Sequence, residues 1–193
     1  ESESRGLGDV YKRQIHESKL NEIGSFRYTS ESGLKIHFLH SKSKETNAIP
    51  LVMTHGWPGS VQEFIKIIPI IQKNSNVPLD IICPSLPGFG FSDKPQEEGM
   101  NSKEIAKLQH ELIMALGYKK YIVQGGDWGA TISKWMAELY KDACIGIHLN
   151  MVIAWPPATD DPMKNVTEAE QKLLANYDKY LSLIHISEPT RLG

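Results

Sequence analysis

Two cysteines in 193 residues, Cys83 and Cys144, are too few for a disulfide framework. Both sit in apolar runs and read as small buried hydrophobes of a reducing compartment, so a cytoplasmic location is expected and a disulfide is the lesser expectation. Charge of one sign is scarce too. A formal net charge of −2 offers no electrostatic footprint for nucleic acid or for an anionic membrane surface. Long hydrophobic runs are missing: no stretch approaches the roughly 20 apolar residues of a membrane-spanning helix. The charged, polar first residues lead into no apolar region, so no secretory signal is read there. No His/Cys cluster has metal-ligand spacing, and Gly125-Gly126 lacks the later glycine of a dinucleotide fingerprint, so neither metal nor cofactor is expected. What remains is an ordinary globular composition, 40% hydrophobic, with the length of one domain and a real core.

The two ends do not share the character of the middle. Residues 1–14 and 183–193 carry no sustained hydrophobic period and resemble translated adapter sequence. They are expected to be non-native tails around a segment from Ile15 to Ser182. Genuine disordered termini are the alternative.

Within that segment the pattern alternates between strand and helix. Phe26–Thr29 and Leu34–Ser41 read as two strands joined by the turn Ser30-Glu31-Ser32-Gly33. Pro50–Thr54 is an apolar run ahead of Gly56, as in a buried strand. A helix is predicted from about Ser60, with Val61, Phe64, Ile65 and Ile68 on one face and Pro69 kinking or ending it. Leu79–Cys83 reads as a strand that runs into an irregular stretch, 84–95. A helix capped by Asn101 or Ser102 runs to about Leu116 and stops at Gly117. Strands at 121–124 and 144–151 flank a helix over 130–140. The predicted fold class is α/β, a mostly parallel sheet covered on both faces. Past Trp155 a proline-containing loop leads to the capping box Thr167-Glu168-Ala169-Glu170 and one more helix, read as the start of a helical insertion from 156.

Two turns carry the chemistry. Gly125-Gly126-Asp127-Trp128-Gly129 joins the 121–124 strand to the following helix, with a carboxylate at the tip and small residues where helix and strand must approach. A serine there would suit an esterase. An aspartate suits attack on a carbon centre such as an epoxide or alkyl halide, forming an alkyl ester. His55-Gly56-Trp57-Pro58-Gly59 follows the 50–54 strand, where an α/β-hydrolase layout places one oxyanion donor; the second comes from the residue after the nucleophile. The donors would be the backbone N–H groups of Trp57 and Trp128. Gly56 and Gly59 allow close approach, and Pro58 suits a cis bond.

With these motifs in order, and with PGFGFS at 87–92, GLKIHFLH at 33–40 and LNM at 149–151, the chain resembles the epoxide hydrolases, closest to the microsomal-type branch that includes juvenile hormone epoxide hydrolases. The resemblance spans nearly all of 15–182. It implies a partial α/β-hydrolase fold, 15–155, with the cap beginning at 156–182. It implies Asp127 as nucleophile toward a small apolar epoxide, with water as second reactant and a vicinal diol as product. It implies cap tyrosines that protonate the leaving oxygen and a histidine–acid pair that activates water, all expected beyond Ser182. Tyr177 and Tyr180 precede the expected tyrosine positions and are not assigned. In the family's animal members a membrane anchor would precede Ile15; membrane association stays open.

Competing readings apply to each residue. Asp127 could be a turn aspartate or helix cap. His55 could be a base, but its place in the loop argues for a structural role. His148 reads as a core or edge histidine, and His185 falls in the C-terminal tail. Trp57, Trp128 and Trp155 are candidates to line an apolar pocket. A haloalkane dehalogenase also uses an elbow aspartate, but that family usually has histidine where Gly126 stands. A non-catalytic binding protein on the same fold is the third possibility.

Overall fold

A computed structural model describes residues 2–152, 161 and 163–184. The chain divides into two compact units, 1–153 and 154–193. The predicted boundary at 155–156 falls outside the described residues, as do Trp155 and His185.

The first unit begins with helix α1 (Ser2–Ile23), where the missing period of residues 1–14 had pointed to no element. Its last turns dock through Leu20 and Ile23. Strands β1 (Ser25–Thr29) and β2 (Lys35–Ser41) form the predicted hairpin, paired antiparallel from Ser25–Leu39 to Thr29–Lys35. Strand β3 (Ile49–Thr54) follows.

The helix expected from Ser60 is broken. A single 3₁₀ turn, Val61–Phe64, is followed by helix α2 (Ile67–Asn74). Pro69 lies in the first turn of α2, where a missing N–H costs nothing, while its ring would clash with the carbonyl four residues back, at Ile65. The break falls before the proline, between two helical pieces.

Strand β4 (Leu79–Pro84), helix α3 (Ser102–Ala115), strand β5 (Tyr121–Gly125), helix α4 (Trp128–Leu139) and strand β6 (Cys144–Leu149) complete the unit. Asn101 caps α3 by accepting from the Lys103 and Glu104 amides. Leu116 ends α3, and Gly117 follows at φ +91°.

The sheet order is β1-β2-β4-β3-β5-β6. The pairings β4–β3, β3–β5 and β5–β6 are parallel, as predicted; β2–β4 is antiparallel, so the hairpin makes the sheet mixed. Alternation along the strands divides the core in two. Phe38, Val52, Ile82 and Val123 face Leu112 and Ile113 of α3 and Ile132 and Met136 of α4. Leu39, Met53, Ile81 and Cys83 face Leu20, Val61, Phe64 and Ile68. Each such side chain contributes roughly 1.5–3 kcal/mol by burial. Cys83 is buried, Cys144 half-buried, and both thiols are free. Among the described residues no helix is long and apolar enough to cross a membrane.

In the second unit, helix α5 (Glu168–Ile184) opens on the predicted capping box. The Thr167 amide donates to Glu170 Oε2 at 2.8 Å, and the Glu170 amide donates to Thr167 Oγ1 at 3.3 Å.

Candidate active site

The site is assembled by strand register. β3 and β5 run parallel with Thr54 opposite Gly125, so the loops that leave their C-terminal ends lie side by side. These are the two motif loops, 55–59 and 126–128. β5 and β6 place Gly125 opposite Leu149, which brings Asn150 to the same end.

Asp127 sits at φ +52°, ψ −128°, a conformation that costs a non-glycine residue about 1–3 kcal/mol. Although it occupies the N-cap position of α4, its side chain makes no capping hydrogen bond. Its Oδ1 instead accepts from the Trp57 backbone N–H at 2.7 Å. The helix-cap reading of Asp127 therefore fails, and the carboxylate is held across the two loops with Oδ2 available. Trp57 and Trp128 are 65% and 54% exposed, so the ground beside Asp127 is open. The Trp128 N–H belongs to the first turn of α4, where no intrahelical carbonyl can accept it. The Trp57–Pro58 peptide bond is cis, as anticipated.

The glycines are required by space. A β-carbon at Gly125 would overlap the Gly129 carbonyl, and one at Gly129 would overlap the Thr54 carbonyl, so α4 rests directly on β3 and β5. A β-carbon at Gly126 would lie 2.5 Å from Asn150 Oδ1. In the first loop, Gly56 leaves room for the Asp127 side chain and Gly59 for the Glu63 carboxylate.

His55 is structural. It is buried, its Nε2 accepts from the Leu86 N–H at 3.1 Å, and its Nδ1 donates to the Gly56 carbonyl at 2.9 Å. The Leu86 donor fixes that tautomer. Burial lowers its pKa, opposed by the Gly56 hydrogen bond and the Glu63 charge. Both ring nitrogens are occupied, so it cannot serve Asp127 as a base. The ring of Phe89 packs edge-on against it, 5.7 Å between centroids, which ties the 87–92 loop to the site. His148 lies exposed on β6, at one edge of the sheet among the described residues.

A cleft of about 350 Å³ opens beside Asp127, lined by Trp57, Pro58, Glu63, Phe64, Gln124 and Asn150 among others. Trp57 lines it as expected, while Trp128 is not among its walls. Glu63, Gln124 and Asn150 escaped sequence reasoning. Gln124 Nε2 donates to Asn150 Oδ1 at 3.3 Å, and Gln124 Oε1 is buried without a partner. Their signal was indirect: Asn150 stands where a predicted strand ends, and Glu63 lies one helical turn past Gly59. A larger cleft, about 990 Å³, lies between the β1–β2 turn, residues 93–100 and α3 and holds no residue of the 55–59 or 125–129 loops. Among the described residues no group of His, Cys, Asp or Glu could hold a metal ion.

A strand, an aspartate at a strained tip, a helix, and a loop amide pointed at the carboxylate follow the strand–turn–helix layout of the α/β-hydrolase fold. The sequence matches the family described as alpha/beta hydrolase fold over residues 49–182 and the one described as Epoxide hydrolase N terminus over residues 7–64. It is 44% identical over 165 residues to a putative epoxide hydrolase of Stigmatella aurantiaca, covering 82% of this chain and 37% of that protein. The crystal structure of juvenile hormone epoxide hydrolase from the silkworm Bombyx mori superposes with a TM-score of 0.67 at 42% identity, covering 72% of this chain and 38% of that one. Aspergillus niger epoxide hydrolase gives a TM-score of 0.71 at 31% identity, over 87% of this chain and 44% of that one. The chain belongs to the epoxide hydrolases of the α/β-hydrolase fold family, in the branch of the juvenile hormone and microsomal-type enzymes. It spans about 37% of the length of the Stigmatella relative.

Proposed function

We propose that Asp127 is the nucleophile of an enzyme that converts epoxides to vicinal diols through an aspartyl ester. One observation carries this reading: Asp127 is held in a strained backbone conformation, caps nothing, and accepts the Trp57 amide at 2.7 Å. That hydrogen bond distinguishes the two carboxylate oxygens. Oδ1 occupies the position of an ester carbonyl oxygen, and Oδ2 is the attacking atom. Attack forms an Oδ2–carbon bond and breaks the epoxide carbon–oxygen bond, and the released alkoxide takes a proton from water. Water then adds to Cγ. The negative charge develops on Oδ1, toward the N–H groups of Trp57 and Trp128, and collapse breaks Cγ–Oδ2 to free the diol.

The relatives' names support epoxides as the substrate class, with water as the second reactant. The mixed apolar and polar walls of the cleft fit a small, largely apolar epoxide. The test is covalent labelling. Incubation of the chain with a terminal epoxide, followed by intact mass and peptide mapping, is expected to add one epoxide mass at Asp127 and none in Asp127→Asn. A terminal bromoalkane serves as the comparison. Faster labelling by the bromide would favour a dehalogenase, and no labelling by either would favour a non-catalytic protein.

A further inference from the structure

The loop 55–59 makes room for two carboxylates. Gly56 accommodates Asp127, because any β-carbon there would overlap the aspartate side chain. Gly59 accommodates Glu63 in the same way, against Oε1. Gly59 is not at positive φ, so the position does not require glycine for its backbone angles. It requires the missing side chain, and the carboxylate of Glu63 fills that space. Both carboxylates line the one cleft.

Nothing there compensates the second charge. Among the described residues, the cleft wall carries no Lys, Arg or His. The Glu63 carboxylate has neither a salt bridge nor a side-chain hydrogen bond, and its influence reaches as far as the buried ring of His55. Glu63 is exposed, so water and salt screen it. Screening limits the effect to moderate factors but does not remove it inside a concave site with apolar walls at Trp57, Pro58 and Phe64.

We infer that Glu63 is a specificity-determining residue: its carboxylate, seated over Gly59 beside Asp127, disfavours epoxides that carry a negative charge and leaves the cleft to neutral or cationic ones. This rests on Asp127 being the nucleophile. Glu63 forms no bond to the reacting carbon. It acts on the encounter between an anionic substrate and a cleft that already holds one necessary negative charge.

The experiment compares two probes of one skeleton, a terminal epoxide with a distal carboxylate and the corresponding primary amide. Labelling of Asp127 in the 193-residue chain is followed by intact mass and located by peptide mapping. Intrinsic reactivity differences cancel when the acid-to-amide rate ratio is compared between variants. Glu63→Gln is expected to raise that ratio about fivefold, and Glu63→Asp, which keeps the charge, much less. Raising ionic strength to about 1 M is expected to raise the ratio in the unmodified chain and to raise it less in Glu63→Gln, where only the Asp127 charge is left to screen. Because Glu63 is exposed, neither substitution should disturb the fold; circular dichroism checks this. Labelling at Asp127 with a ratio unchanged by Glu63→Gln would overturn this inference alone. Absence of any label at Asp127 from the amide would overturn the nucleophile assignment, and this inference with it.

Discussion

The Trp57 backbone amide donates to Asp127 Oδ1 at 2.7 Å, joining two loops 70 residues apart in sequence. The bond is made possible by the backbone of Asp127 at φ +52°, which swings the carboxylate away from the end of α4 and toward the 55–59 loop. The chain holds Asp127 in a conformation that its residue type disfavours, and the cost belongs to the site.

That cost can be measured. Asp127→Gly and Asp127→Ala both remove the carboxylate and its hydrogen bond, so the difference between them isolates the backbone. At an ordinary helix start alanine is the safer choice. Here glycine is expected to be the more stable variant by about 1 kcal/mol, because a β-carbon at positive φ is strained. Urea titration of the two proteins reads the difference directly. Alanine as stable as glycine would show that the tip is relaxed.

A second prediction concerns the contact beneath the turn. Gly129 lies in the first turn of α4, where helix propensity alone favours alanine by nearly 1 kcal/mol. Its missing side chain faces the Thr54 and His55 carbonyls, which belong to the backbone and cannot swing aside. Gly129→Ala is therefore expected to cost about 2 kcal/mol or more, the price of pushing α4 off β3. An increase in the urea midpoint would contradict the packing described for the turn.

His37 sets a pH dependence. It is buried in β2, with Ser25 Oγ 2.9 Å from Nε2 and Ser85 Oγ 2.8 Å from Nδ1. Burial, aided by the Arg27 charge, lowers its pKa to about 4. In the unfolded chain it titrates near the ordinary histidine value of about 6.5. Between those two values the unfolded chain binds more protons, so stability falls as pH drops from about 6.5 to about 4 and levels off below. His55, lowered by burial as well, acts in the same direction. Urea stability measured from pH 7 to pH 4.5 should decline, and His37→Gln should decline less steeply. Parallel curves for the two proteins would assign the loss to other groups.

The legible parts of this molecule are those with local causes. The motif loops could be read because a strand–tip–helix turn imposes small residues at fixed offsets, and the chain shows them at 125–129 and 55–59. His55 was read as structural from its place in the loop, and in the fold its ring makes two hydrogen bonds. The Asn101 cap and the Thr167–Glu170 box were equally readable, since each satisfies amides within three residues. Features that depend on register or space escaped. No local pattern announces the antiparallel pairing of β2 with β4, because the paired residues, from Phe38–Pro84 to Ser41–Ile81, lie far apart in sequence with β3 between them. Glu63 and Asn150 enter the cleft only through the packing of the 3₁₀ turn and the β5–β6 register. Helix α1 extends through residues whose apolar positions follow no helical period.

The last prediction follows from what faces Asp127. The cleft walls supply the Asp127 carboxylate, an amide donor, Gln124, Asn150 and Glu63, and among the described residues no imidazole. The buried His55 ring has both nitrogens engaged. Opening an epoxide needs the carboxylate; cleaving the resulting ester needs water made nucleophilic by a base, a contribution of roughly 10²- to 10⁴-fold. The 193-residue chain is therefore expected to accept one equivalent of epoxide at Asp127 and to retain it. In ¹⁸O-water, slow release would place the first heavy oxygen in Asp127 and not in the diol, because water attacks Cγ. Intact mass against time reads the retained adduct, and peptide mapping reads the isotope. Diol formed in several equivalents per chain at a steady rate would show that a base for the second step lies within these residues.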